Sequence, residues 1–63
     1  MTLSEFNKLD LEKQAEIVWE KGILEHHAND GEHHFVLYKL YDFFVEIEFH
    51  SLTNDIIKIL CFA

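Results

Sequence analysis

Five histidines stand in this chain of 63 residues, and four of them flank one turn signal. His26-His27 precede Asn29-Asp30-Gly31, His33-His34 follow it, and His50 lies further on. Imidazole nitrogens suit Zn, Cu or Ni, and three of them with a water make an open site. With residues 29–31 as a three-residue loop, Ala28 opposes Glu32, His27 opposes His33 and His26 opposes His34. A two-residue loop at Tyr41-Asp42 places His33 opposite His50. His27, His33 and His50 then form a row across strands about 4.8 Å apart, close enough to share Zn or another divalent transition metal. The competing expectations are exposed edge and turn histidines, with His34 at the core margin, or a pH-sensitive contact. A one-residue change of loop sends these side chains to opposite faces. Neither HExxH nor CxxC accompanies them.

Other chemistry has less to stand on. Cys61 has the parity of a core face and reads as a small buried hydrophobe. No Ser-His-Asp or Cys-His-Asn set has positional support, and there is no Gly-rich phosphate loop. Glu46 and Glu48 share a strand face that reads as solvated, and general acid work there would need a pocket. The expectation is a protein without catalytic residues, not an enzyme.

The elements that would position these residues are organised around Phe35 to Phe49. Phe43, Val45, Ile47 and Phe49 alternate with Phe44, Glu46, Glu48 and His50, the period of a strand with one buried face. Strands separated only by Tyr41-Asp42 must be antiparallel, because a parallel crossover needs a dozen or more residues. Upstream, Thr2 to Glu5 fits a capping box and Asp10 offers a second N-cap. Residues 3–21 are therefore read as helix with a break at Leu9-Asp10. Leu11, Ala15, Val18 and Gly22 make its apolar stripe, Trp19 anchors it on the sheet, and Gly22 ends it as a residue that tolerates the left-handed region. Strands follow at Ile23 to Ala28, Glu32 to Leu40, Phe43 to His50 and Ile56 to Phe62. The fold class is α+β: one domain, residues 1–63, with an N-terminal helix packed on one face of a four-stranded antiparallel meander.

The register follows from the short loops. Leu40 faces Phe43, Tyr38 faces Val45, Val36 faces Ile47 and His34 faces Phe49, all on the core face. With residues 51–55 as a loop, Phe49 faces Ile57, Ile47 faces Ile59 and Val45 faces Cys61. Glu48 meets Lys58 and Phe44 meets Phe62 on the opposite face. That face carries Phe35, Leu37, Phe44, Ile56, Leu60 and Phe62, and one helix cannot cover both sides. It is expected to meet a partner, most simply a second copy in a homodimer. The alternative is a curled sheet shielded by the stems of Lys39 and Lys58.

Net charge is −7, from twelve acids against five lysines and no arginine. That argues against nucleic-acid binding, which wants clustered Lys and Arg. No apolar run approaches the roughly 20 residues of a membrane span. A lone cysteine and the lack of a basic n-region before an apolar stretch point to the cytoplasm. The leading functional expectation is a small interaction module that self-associates or docks a protein through its second sheet face. Its alternatives are an acidic inhibitor or immunity-type protein masking a basic site, and a metal-binding module built on the histidine row.

Gln14, Trp19 and Gly22, followed by Tyr38-Lys39-Leu40 and Asp42-Phe43-Phe44-Val45-Glu46, resemble small uncharacterised bacterial proteins. Those proteins have an N-terminal helix ending in Trp-x-x-Gly and an aromatic β-meander. The resemblance implies that architecture over most of the chain and carries no activity.

Overall fold

The computed structural model describes all 63 residues. Helix α1 spans Leu3–Asn7 and α2 spans Leu11–Lys21. Strands β1 (Ile23–Asn29), β2 (His33–Leu40), β3 (Phe43–His50) and β4 (Ile56–Phe62) follow. They form one antiparallel sheet in the order β1-β2-β3-β4, the expected meander.

The helices begin where side chains satisfy open amides. Glu5 N–H donates to Thr2 Oγ1 at 3.1 Å, and Thr2 N–H donates to Glu5 Oε1 at 2.8 Å, completing the capping box. The backbone N–H of Thr2 holds the Glu5 carboxyl below the usual carboxylate range, with the Thr2 side chain assisting. Asp10 Oδ1 accepts from Lys13 N–H at 2.9 Å and starts α2. Between the helices, the buried Gln14 donates from Nε2 to the Phe6 carbonyl at 3.0 Å. That bond fixes the angle at which α1 folds back on α2.

Gly22 ends α2 for a different reason from the one expected. Its backbone is extended (φ −73°, ψ 147°), not left-handed. A Cβ there would lie 2.5 Å from the Val18 carbonyl oxygen and 3.2 Å from Tyr38 Cδ1. Glycine is needed because a side chain would collide with the last turn of α2 at Val18 and crowd Tyr38 on the sheet.

The core consists of Phe6 and Val18 from the helices with Leu40, Phe43, Val45 and Ile47 from β2 and β3. Phe6 and Phe43 meet with ring centres 5.6 Å apart. Tyr38, Phe49, Ile56, Ile59 and Cys61 pack around it, and the Cys61 thiol reaches Asn7 Oδ1 at 3.5 Å. No residue of β1 joins this core, and all seven of its residues are exposed. The reason is width. A helix is about 10 Å across with its side chains, and strands lie about 4.8 Å apart. One helix therefore covers roughly two strands, and the two short helices together reach β2, β3 and β4 and leave β1 bare.

The β2–β3 register is the expected one at every pair, from Leu40 opposite Phe43 to His33 opposite His50. Its hairpin turns at Tyr41 with φ 55°, a left-handed conformation, and the Tyr41 ring lies 6.3 Å from that of Phe43. Two registers differ from expectation. Beyond Glu48 opposite Lys58 the β3–β4 pairing slips, so Phe49 faces Ile56 rather than Ile57. Ile56 packs against the core, and Ile57 takes the exposed position. Asn54, at φ 62°, allows the preceding loop to close as Asn54 N–H donates to the His50 carbonyl at 2.8 Å. The second difference is in β1–β2, where Asn29 faces His34, Ala28 faces Phe35, His27 faces Val36 and His26 faces Leu37. An irregularity between Leu24 and His26 shifts the pairing by one residue, so that Leu24 faces Tyr38.

Candidate functional site

The turn that decides the histidines is built by the amide oxygen of Asn29 and the carboxylate of Asp30. Asn29 Oδ1 accepts from Gly31 N–H at 2.6 Å, and Asp30 Oδ1 accepts from Glu32 N–H and His33 N–H at 3.1 and 2.7 Å. These Asx turns hold Glu32 in the loop and delay strand pairing until His33. The pairing moves by three positions from the expected one, an odd number, so β1 turns over relative to β2. The row of His27, His33 and His50 consequently does not form. His27 pairs with Val36 on the helix side, with its ring 5.5 Å from His34. His33 and His50 stay on the other side, ring centres 6.3 Å apart.

The atoms of those rings have other partners. His33 Nδ1 lies 3.6 Å from Asp30 Oδ2, and Nε2 lies 3.8 Å from Glu48 Oε2. The backbone N–H of His33 holds the Asp30 carboxyl below the usual carboxylate range, with the Glu32 N–H and the His33 ring contributing. His50 Nδ1 accepts from Leu52 N–H at 3.3 Å, which occupies that nitrogen as an acceptor. No group of three or more His, Cys, Asp or Glu side chains converges as a metal site.

The open face of the sheet assembles most of its expected residues. Lys39, Phe44 and Phe62 lie in one cross-strand row, with Phe44 and Phe62 stacked at 5.9 Å. Leu37, Glu46 and Leu60 make the next, and Phe35, Glu48 and Lys58 the third. Phe35, Leu37 and Phe44 are half-buried, while Leu60 and Phe62 keep 46% and 43% of their surface. Ile56 is the exception, since the slip at Phe49 turns it to the helix side. Glu46 and Glu48 are half-buried among these apolar neighbours rather than freely solvated.

A second surface lies on the helix side. Trp19, expected to anchor α2, is 59% exposed. With Leu11 and Ala15 it forms one wall of a groove of about 640 Å³ whose other wall is Phe49 and Ile56. Glu12, Glu16 and Asp55 stand at its rim, and no lining residue is a cation. Glu16 makes one long exposed contact, 3.9 Å from Lys13 Nζ. The groove shares Phe49 and Asn54 with a smaller recess at His34 and Val36. That recess in turn opens towards Tyr38, Leu24 and His27. The result is an apolar trough over the part of the sheet that α2 leaves bare. Its sequence signal is the spacing of Leu11, Ala15 and Trp19, a second apolar stripe beside the buried Gln14-Ala15 and Val18.

No helix of the protein is long and apolar enough to cross a membrane. Compared with family models, curated proteins and solved structures, the chain matches none.

Proposed function

We propose that the protein is a small interaction module that self-associates through the open face of its sheet. The observation that carries this reading is an uncovered apolar surface with balanced charge. Phe35, Leu37, Phe44, Leu60 and Phe62 share it with Lys39 and Lys58 and with Glu46 and Glu48. Two lysines offset two glutamates there, although the whole chain carries −7. Two copies meeting elsewhere bring acid against acid, whereas a two-fold arrangement here lets lysines of one copy face glutamates of the other. Burial of each large apolar side chain contributes roughly 1.5–3 kcal/mol. Association costs about 4–15 kcal/mol, so the balance is close and dimerisation should depend on concentration. The reading assigns no catalytic residue and no cofactor. It suits a reducing cytoplasm, where Cys61 remains a thiol on the helix side, away from the interface.

Light scattering after size exclusion, across a concentration series, tests this. The expected result is a mass rising towards twice the chain mass, with Phe44→Glu remaining a folded monomer. A wild-type mass that stays at one chain up to millimolar concentration would falsify the reading.

A further inference from the structure

We infer that the acidic trough on the helix side is a docking site for a basic polypeptide segment, with an apolar side chain seated between α2 and the sheet. It lies on the opposite side of the sheet from the proposed self-association face, so it does not depend on that reading. Its floor is apolar, formed by Leu11, Ala15 and Trp19 against Phe49 and Ile56. At the end beside Trp19 the charged lining is acidic only, with Glu12, Glu16 and Asp55 and no lysine or histidine, while His34 and His27 line the continuation across the sheet. An apolar anchor flanked by Lys or Arg meets both features. The anchor is buried against the walls, and the cations meet the carboxylates and the exposed face of the Trp19 indole. The volume of about 640 Å³ is within the range of small-ligand sites. The shape favours a chain, because the groove runs on through His34 and Val36 to Leu24 on β1, crossing the sheet. A compact amine would fill only the end beside Trp19.

Trp19 is the only tryptophan, so its emission reports the occupant directly. The probe is the end-blocked synthetic peptide LKKLLKLLKKLL, and the control replaces every Lys with Glu. The lysine peptide should shift Trp19 emission to the blue and saturate, with affinity falling as salt rises, and the glutamate peptide should do neither. Glu12→Lys with Glu16→Lys should weaken the lysine peptide about tenfold or more. The same reversal at Glu25 and Glu32, exposed and outside the trough, should cost less than about threefold by long-range attraction alone. Phe44→Ala on the open face should leave the affinity unchanged. A flat titration overturns the proposal, as does equal binding of both peptides. Equal losses from the two charge reversals, or a loss in Phe44→Ala, overturn it too, because the peptide would then be bound by net charge or by the other face.

Discussion

Under Phe6 and Val18, Val45 and Ile47 of β3 lose all exposure, while on the reverse of the sheet Leu60 and Phe62 of the neighbouring β4 keep nearly half of theirs. Both sides of β2 and β4 carry apolar residues, so hydrophobicity alone does not separate core from interface. Cover does, and the helical layer is only wide enough to cover part of one side. The uncovered remainders then differ in charge. The open face balances Lys39 and Lys58 against Glu46 and Glu48, whereas the trough beside α2 has carboxylates alone. Balanced charge suits a copy of the same chain, and unbalanced acid suits a basic partner.

The sharpest way to break this comparison is to truncate one side chain on each side. Phe6→Ala should cost about 3–5 kcal/mol, measured as a fall in the urea midpoint, because Phe6 has no exposed surface. Leu60→Ala should cost less than about 1 kcal/mol in dilute monomer yet weaken self-association. Equal costs in dilute monomer would mean that the open face is as much core as the other. Gly22→Ala should cost about 1–3 kcal/mol in the same urea measurement, since its Cβ meets the Val18 carbonyl. A neutral result would show that the last turn of α2 yields at the Val18 carbonyl at little cost.

Gln14→Leu should cost about 1 kcal/mol, read again in urea, because the Phe6 carbonyl retains its bond from Leu9 N–H at 3.1 Å. The smallest effect is in pH. Asp30 and Glu5 both hold their carboxyls below the ordinary values of 3.8 and 4.5. A depressed folded-state value contributes stability above the unfolded value and loses it as pH falls through the folded one. Thermal melting should therefore be flat with respect to these groups near neutrality and decline below about pH 4.5. Asp30→Ala should remove part of that decline, and an unchanged profile would show that the turn carries no such linkage.

Local chemistry made much of this fold readable. The capping box at Thr2 and Glu5, the second cap at Asp10 and the break between them need only neighbours in sequence. The Tyr41-Asp42 loop is so short that it leaves one register for β2 and β3. Where loops are longer, side chains decide how many residues remain unpaired. At Asn29 and Asp30 the Asx turns take Glu32 into the loop, and the odd shift separates His27 from His33 and His50. The slip beyond Glu48 similarly moved Ile56 from the open face to the helix side.

By itself, the sequence determined the class of the fold, the order of the strands and the two-sided apolar character of β2 and β4, because periodicity and capping act within a few residues. Only the tertiary structure decided which apolar residues remain uncovered. Trp19 stands in solvent beside a groove because α2 is seated through Gln14, Val18 and the close approach at Gly22. That seating depends on the width of a helix against the width of a sheet, a relation between elements that no stretch of the chain contains.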